Sequence, residues 1–237
     1  MYFTHEVLRW KYRQGGVEGI MKIVALKYGE SVFGENHIIK GGRKDVLLPI
    51  SFTIYLIQTK EKNILVDVGC DDGAGFEMSL FKKPVDVLKE YGLSPNDITD
   101  VIITHSHHDH IEAIRYYENA DVYIQKDEYT AAKKYIPTGF DIHLFDDEFS
   151  LAENILIRKI GGHSVGSCIV LAENYVLCGD ECYYEKCLTD RICTGLPYNK
   201  DASEKFIVEY SKNKYVPLLF HDSKILQGRL GYSIIKN

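Results

Sequence analysis

The segment THSHHDH at residues 104–110 contains four histidines and one aspartate within seven residues, in a chain that has nine histidines in all. Imidazole nitrogens and carboxylate oxygens are ligands that zinc, iron and manganese accept in proteins. A solvated polar loop is the alternative interpretation, and it is the usual one for a single histidine. The density of ligand-type side chains in so short a segment favours a metal site.

The residues before this segment predict the element that positions it. Val101-Ile102-Ile103 is an apolar, β-branched run, which predicts a buried strand that ends at Thr104. Ligand sites in α/β proteins gather outside the carboxyl ends of strands. A metal-binding loop is therefore expected where this strand leaves its sheet.

The spacing within the segment divides its side chains between two ions. His105 and His107 project to the same side of an extended chain, so both can bind one ion. Asp109 and His110 then turn into the next element and can face a second ion nearby. His108 projects the other way, and we expect it to have a structural role or to contact a ligand residue from outside.

Further ligand-type residues occur in three other parts of the chain. His163, Asp180 and His221 each come shortly after an apolar run that predicts a strand. Gly161 and Gly162 precede His163 and permit a close approach of the backbone. Each of these residues alone would more often be structural. Because all three follow the same pattern, together they predict one site at one edge of a sheet system.

Strand-like runs alternate with helical patterns along most of the chain and predict a layered α/β architecture in one domain, residues 1–237. The predicted strands are Lys22–Lys27, Ser51–Gln58, Asn63–Val68, Asp100–Ile103, Asp121–Gln125, Ile155–Ile160, Cys168–Leu171, Tyr175–Cys178, Pro217–Phe220 and Ser233–Lys236. The predicted helices are Pro84–Tyr91, which stops at Gly92, Lys126–Tyr135 and Asp201–Lys212.

The first twenty residues differ from the rest of the chain. Met21-Lys22-Ile23-Val24 has the pattern of a natural start, and the polar, glycine-bearing sequence RQGGVEG precedes it. We expect residues 1–20 to be an N-terminal extension. A helix that docks through Leu8 and Trp10 is the alternative.

Composition and charge narrow the class of protein. The 237 residues are 45% hydrophobic, which suffices for a sizeable core. The net charge of −6 does not favour a nucleic-acid partner. No apolar run approaches the ~18 residues of a membrane span, and the N-terminus lacks the apolar region of a secretory signal. We therefore expect a cytoplasmic protein with no nucleic-acid partner and no membrane association.

The six cysteines include no Cys-x-x-Cys pair, so a structural zinc ribbon is not expected. In a reducing compartment most of them would be small buried residues. The metal ligands are therefore sought among the histidines and acids.

The order of these residues resembles the metallo-β-lactamase superfamily. The pattern HxHxDH at residues 105–110, followed by His163, Asp180 and His221, is similar to the superfamily's ligand series, and Leu65-Val66-Asp67-Val68-Gly69 is similar to its strand-Asp-Gly signature. The resemblance covers about residues 48–222. It implies an α/β, four-layer αββα sandwich of two mixed β-sheets flanked by helices, with the site at one edge.

The resemblance also implies the role of each ligand. It implies two divalent metal ions, one bound by His105, His107 and His163, the other by Asp109, His110 and His221, with Asp180 bridging them. Zinc is the expected metal, and iron or manganese suits the same ligands.

Two features outside the ligand series complete the comparison with the superfamily. Asp67 is expected to orient a ligand histidine by accepting its other N–H. Where many relatives follow HxHxDH with a small pair such as Gly-Gly, this chain has Ile111-Glu112-Ala113. That departure leaves the ligands intact, and we expect it to change the pocket wall.

Hydrolysis is the chemistry that such a site supports, because paired divalent ions activate water and polarise a substrate oxygen. Asp109 is expected to move a proton to the leaving group. Tyr183, three residues after Asp180, resembles the N-acyl-homoserine-lactonase branch, in which a phenol helps to hold the substrate carbonyl. The alternative is a structural tyrosine, since the chain has 17 tyrosines and Tyr184 is adjacent.

We therefore expect a dinuclear hydrolase with a small-molecule ester or lactone substrate, and lactone ring opening in particular. Thioester or phosphodiester hydrolysis, and a non-catalytic metal-binding module, are the alternatives. A β-lactamase of this superfamily usually has cysteine at the position of Asp180. Residues 33–49 and 188–200 are the expected pocket loops, and the oligomeric state is open between a monomer and a homodimer.

Overall fold

Apolar, β-branched runs form most of the two β-sheets in the computed structural model, which describes residues 21–237. The expectation for residues 1–20 lies outside the described residues. The strands are β1 Lys22–Gly34, β2 Leu47–Gln58, β3 Asn63–Val66, β4 Leu80–Phe81, β5 Asp100–Ile103, β6 Asp121–Gln125, β7 Ile142–Phe145, β8 Glu148–Ala152, β9 Ile155–Lys159, β10 Cys168–Ala172, β11 Tyr175–Leu177, β12 Val216–Leu218 and β13 Gly231–Lys236.

Six α-helices and three 3₁₀ turns connect these strands in the described part of the chain. The helices are α1 Glu35–Ile38, α2 Pro84–Tyr91, α3 His108–Ile111, α4 Lys126–Ala132, α5 Glu185–Asp190 and α6 Lys200–Tyr210. The 3₁₀ turns are Pro95–Asp97, Glu112–Tyr116 and Gly179–Glu181. Between residues 21 and 237, no helix combines the length and apolar character needed to cross a bilayer.

Both sheets are mixed. The larger sheet has the order β13-β1-β2-β3-β5-β6-β7, with β4 paired to β1, and the smaller has the order β12-β11-β10-β9-β8. Strands β3, β5, β6 and β7 are parallel to one another, whereas β13, β1, β2 and β3 pair antiparallel. In the smaller sheet only β11 and β12 are parallel.

Three apolar clusters show that the structure has four layers. The cluster between the sheets combines side chains such as Ile57 of β2 and Val170 of β10. A second cluster joins the outer face of the larger sheet to α2, and a third joins the outer face of the smaller sheet to α5 and α6. Two sheets with helices on both outer faces form the αββα sandwich, so the predicted fold class is confirmed.

The predicted boundaries are accurate where a local signal is strong. Helix α2 has Pro84 in its first turn and ends at Gly92, whose φ of 104° is left-handed. Strand β1 is longer than predicted and continues past Lys27 to Gly34, paired along its length with β2. The pattern does not reveal this part of β1 because polar residues interrupt it. The resulting hairpin arm reaches the edge where the ligands gather.

Candidate metal centre

The structure brings all seven predicted ligands together. Ring nitrogens of His105, His107 and His163 and a carboxylate oxygen of Asp180 lie within 4.8 Å of one another. The corresponding atoms of Asp109, His110 and His221 lie within 4.8 Å of one another in a second set. We call His105, His107 and His163 the first ligand group, and Asp109, His110 and His221 the second ligand group.

Strand ends position both groups. His105 and His107 follow β5, and Asp109 and His110 lie in the short helix α3. His163 follows β9, Asp180 lies in the 3₁₀ turn after β11, and His221 follows β12. Strands of both sheets therefore place the ligands at one edge of the sandwich, as the sequence predicts.

Asp180 lies between the two groups. Its Oδ2 is 3.6 Å from Nε2 of His105 and 3.4 Å from Nε2 of His163. Its Oδ1 is 3.0 Å from Nε2 of His110 and 3.3 Å from Nε2 of His221. Because one oxygen faces each group, the carboxylate is placed to bridge two cations.

The arrangement of the ligand nitrogen and oxygen atoms suits bound cations better than a set of hydrogen bonds among the side chains. Nδ1 of His107 is 3.0 Å from Nε2 of His105 and 2.9 Å from Nε2 of His163. Two buried ligand atoms, Nε2 of His110 and Oδ1 of Asp180, lie 3.0 Å apart without the angles of a hydrogen bond and have no other hydrogen-bond partner among residues 21–237. Buried polar atoms are normally satisfied, so converging nitrogens and unpaired atoms at one point favour bound metal ions.

Burial and charge set the protonation of the ligands. Burial lowers the pKa of His105 well below its usual value, and it lowers the pKa of His163 to about 4. Burial disfavours the charged form of Asp180, but the surrounding histidines, His110 foremost, outweigh it and hold the pKa of that carboxyl well below its usual range. Neutral imidazoles and an ionised carboxylate are the states that bind a metal ion.

His110 behaves differently from His105. Burial lowers the pKa of His110, but the carboxylates of Asp180, Asp67 and Asp109 outweigh burial and raise it well above the usual value. Positive charge is therefore favoured at this position, whether as a proton or as a cation beside Nε2.

Contacts on the far side of the rings fix their orientation. Nδ1 of His110 is 2.8 Å from Oδ2 of Asp67, and that carboxylate also accepts hydrogen bonds from the backbone and hydroxyl of Thr104. Nδ1 of His221 donates to the carbonyl of Ser51 at 2.9 Å, which leaves Nε2 free toward the site. Asp67 thus makes the contact that the sequence predicts for it.

His108 lies outside both ligand groups. Its Nε2 is 2.9 Å from Oδ1 of Asp72, and its ring packs edge-on against Tyr135. Its side chain is more than one-third exposed. These contacts agree with the structural role expected for it.

A cavity of about 290 Å³ opens over the ligands. Its metal end consists of the lining residues His107, Asp109, His163, Asp180 and His221, with Tyr183 beside them. Its apolar end consists of the lining residues Phe33, His37, Phe76, Thr194 and Leu196. Both predicted pocket loops contribute to the apolar end, whereas Phe76 comes from a segment that no sequence pattern indicates.

Tyr183, and not Tyr184, faces the cavity. The ring of Tyr183 packs edge-on against His221, with centroids 4.7 Å apart. Burial raises the pKa of the Tyr183 phenol well above its usual value, and nearby Asp180 adds to the shift. The hydroxyl of Tyr184 instead donates to the carbonyl of Pro49. Tyr183 is therefore a neutral donor beside the ligands.

Two loops that are distant in sequence close the apolar end. The amide of Gly195 donates to the carbonyl of His37 at 3.0 Å, and the amide of Lys40 donates to the carbonyl of Cys193 at 3.0 Å. A Cβ atom on Gly195 would lie 1.8 Å from the carbonyl oxygen of Asn36. Only glycine permits this close approach.

Comparisons with known proteins agree with this architecture. A family model described as the metallo-beta-lactamase superfamily matches residues 52–203. The N-acyl homoserine lactonase AiiB of Agrobacterium fabrum is 28% identical over 142 residues, which are 50% of this chain and 51% of that protein. A probable metallo-hydrolase of Methanocaldococcus jannaschii is 34% identical over 125 residues, 53% of this chain and 55% of that protein. The matched regions span about half the length of these curated relatives.

Solved structures are similar over a larger share of the chain. An N-acyl homoserine lactone hydrolase with the product N-hexanoyl-L-homoserine at its catalytic metal centre superimposes with a TM-score of 0.75 at 21% identity, over 90% of this chain and 98% of that one. The dizinc quorum-quenching lactonase AidC superimposes with a TM-score of 0.68 at 17% identity, over 92% and 95% of the two chains. At these identities the likeness supports the fold.

Proposed function

The chain belongs to the metallo-β-lactamase superfamily, and from this premise we propose that it is a hydrolase that uses two divalent metal ions to open lactone rings. N-acyl-homoserine lactones are the proposed substrate class, because relatives and similar structures are described as acting on them. One observation carries the proposal: two ligand groups joined by Asp180 lie at one end of a cavity whose other end is largely apolar. An acylated lactone has a polar ring and an apolar tail that suit such a cavity.

The proposed ligands are those of the two groups. One ion would bind to His105, His107 and His163, the other to Asp109, His110 and His221, and Asp180 would contact both. Zinc is the proposed metal, since imidazole and carboxylate suit it, and iron or manganese accepts the same set. When bound, such ions lower the pKa of water toward neutrality and polarise a substrate oxygen.

Tyr183 is proposed to bind the reacting carbonyl. A phenol is protonated at neutral pH, and burial raises the pKa of Tyr183 further, so the hydroxyl can donate to the oxygen on which negative charge develops. Its contact with His221 holds the ring beside the second ligand group. A donor fixed before the reaction stabilises such an oxyanion without reorganisation.

Asp109 is proposed to move the proton. Its carboxylate lines the cavity, and its Oδ2 is 3.6 Å from Nε2 of His221. In ring opening, a water oxygen bonds to the carbonyl carbon and the ring C–O bond breaks. The Asp109 carboxylate would accept the proton from water and deliver it to the leaving alkoxide.

The apolar end is proposed to hold the acyl part of the substrate. Phe33 and Phe76 pack edge to face there, with ring centroids 5.1 Å apart, and Leu196 lines the same wall. The cavity volume of about 290 Å³ lies at the lower limit of ordinary ligand sites, roughly 300 Å³. We therefore propose a small substrate, with any longer acyl chain leaving the cavity at the exposed Leu196.

A substrate panel tests the proposal. The protein loaded with Zn²⁺ is assayed with acyl-homoserine lactones, unsubstituted lactones, thioesters, phosphodiesters and β-lactams. Acyl-homoserine lactones should be hydrolysed fastest. Thioester or phosphodiester hydrolysis without lactone hydrolysis would contradict the substrate assignment, and bound ions without turnover of any substrate would favour a metal-binding module.

A further inference from the structure

Glu181 is a buried carboxylate that holds the loop bearing His163. It follows Asp180 in the 3₁₀ turn Gly179–Glu181 and is 1% exposed. Its Oε1 accepts hydrogen bonds from the amide of Gly162 at 3.0 Å, the amide of His163 at 3.1 Å and the hydroxyl of Ser167 at 2.5 Å. A single oxygen thus joins both ends of the loop between β9 and β10.

The packing around Gly162 leaves no room between this carboxylate and the loop. A Cβ atom on Gly162 would lie 2.3 Å from Oε2 of Glu181 and 2.6 Å from Oγ of Ser203. On its other side, the carbonyl of Gly162 accepts a hydrogen bond from the amide of Asn199 at 3.0 Å, just before α6. The backbone that carries His163 is therefore fixed from two sides.

Among residues 21–237, the side-chain hydrogen bonds of Glu181 reach only this loop. The second ligand group is oriented by other contacts: Asp67 contacts His110, the carbonyl of Ser51 contacts His221, and Tyr28 donates to the carbonyl of Asp109. Loss of Glu181 would therefore act on one ligand group and leave the other in place.

We propose that Glu181 is a positioning residue that holds His163 in the first ligand group, so that its loss weakens the binding of one metal ion and spares the other. The inference rests on the proposed two-ion site. Residues that orient a metal ligand from outside typically contribute about 10–100-fold to metal affinity, and we expect a loss of that size for the ion at the first group.

Three substitutions of Glu181 remove its contacts with the loop to different degrees. Glu181→Gln keeps an acceptor oxygen for the three donors, and its new N–H groups can face the hydroxyl of Ser203, which has no partner among residues 21–237. Glu181→Asp is one methylene shorter and does not reach the loop amides. Glu181→Ala removes the acceptor. The expected order of metal affinity is wild type, then Gln, with Asp and Ala far below.

Asp100 provides a matched control. It is a buried carboxylate at the start of β5, at the opposite end of that strand from His105, and it is bonded to Lys62 at 2.7 Å and to Thr99 at 2.6 Å. Asp100→Ala removes a buried acceptor without touching either ligand group. It should lower the thermal unfolding temperature and leave both metal affinities unchanged.

Metal titration tests the proposal independently of turnover. Metal-free proteins are titrated with Zn²⁺ against a chromophoric chelator and with Co²⁺, whose visible spectrum depends on the number of its ligands. The wild type should bind two ions. Glu181→Ala should bind one as tightly as the wild type and the other about 10–100-fold more weakly, with an altered Co²⁺ spectrum for that ion, and Glu181→Gln should largely restore both.

The outcomes separate this inference from the proposed function. A wild type that binds no divalent ion would refute the proposed function itself. If the wild type binds two ions, the role of Glu181 alone would be refuted by either of two results for Glu181→Ala. In one, the variant binds both ions with normal affinity; in the other, it binds both with equally reduced affinity. If Glu181→Ala does not fold, the Ser167→Ala variant provides the test. Weaker binding of the ion at the first ligand group supports the proposal, and unchanged affinities for both ions overturn it.

Discussion

The two ends of the cavity are built differently. At the metal end, His105, His110, Asp180 and His221 are almost completely buried, and Nδ1 of His110 and Nδ1 of His221 are held by the Asp67 carboxylate and the Ser51 carbonyl. At the apolar end, Leu196 is 64% exposed and lies on a loop joined to the hairpin arm by a few backbone hydrogen bonds. The metal end is therefore fixed before a substrate binds, whereas the loop at the apolar end can adapt to the substrate.

This difference follows from the cost of burying polar groups. A buried imidazole or carboxylate without a partner costs stability, and His110 and His221 are each oriented by a contact on the far side of the ring. An exposed apolar wall carries no such requirement. Substitutions at the metal end should therefore decide whether the reaction occurs, and substitutions at the apolar end should decide which substrate reacts.

The largest effect is expected from removing one ligand of each group. His107→Ala combined with His110→Ala takes a nitrogen from both ions, so the variant should bind neither and turnover should fall to the uncatalysed background. Metal analysis and lactone hydrolysis measure the two results. His108→Ala, on the adjacent residue outside both groups, is the control and should keep both ions. Turnover by the metal-free double variant would contradict the proposed chemistry.

A smaller effect is expected from the donor beside the metal end. Tyr183→Phe removes the phenol hydroxyl and keeps the ring against His221, so kcat for lactones should fall about 100-fold while the metal content stays the same. Tyr184→Phe is the matched control, because that hydroxyl bonds to Pro49 and is directed away from the ligands. Equal kcat values for Tyr183→Phe and the wild type would leave Tyr183 a structural residue.

The metal end could be predicted from sequence because each ligand follows a local signal. His105, His163, Asp180 and His221 each come after an apolar run, and a buried strand produces such a run wherever it occurs. The fold class follows from the same alternation of strands and helices. The predicted bounds of an element were accurate where the backbone conformation of a single residue ends it. Gly92 has a left-handed φ of 104°, and helix α2 ends there.

The apolar end could not be predicted at the level of residues. Residues 33–49 and 188–200 were predicted as pocket loops, but Phe76 reaches the cavity only because the fold brings its segment there, and no local pattern marks it. The part of β1 beyond Lys27 was not predicted because Gly29, Glu30 and Ser31 interrupt its apolar pattern, although Ser31 is buried. Strands β7 and β8 were missed because few of their residues are buried.

An effect smaller than that of Tyr183→Phe is expected where the two loops of the apolar end meet. In Gly195→Ala the new Cβ would lie 1.8 Å from the carbonyl oxygen of Asn36, so the loops must separate. KM for acyl-homoserine lactones should rise about tenfold with kcat and metal content little changed, and unfolding should become easier by about 1–3 kcal/mol, the usual cost of overpacking. Steady-state kinetics and thermal unfolding measure these changes. A fall in kcat alone would show that the two ends are coupled.

The smallest effect is expected from the exposed wall itself. Leu196→Ala removes part of the apolar surface at the cavity mouth, and because Leu196 is 64% exposed, we expect a loss of about 1 kcal/mol of binding, roughly a fivefold rise in KM. The rise should be larger for long acyl chains than for short ones, since only long chains reach the mouth. Val208→Ala, at a similarly exposed residue of α6 (63%), is the control and should change neither kcat nor KM. Equal rises for all chain lengths would mean that the acyl chain leaves the cavity elsewhere.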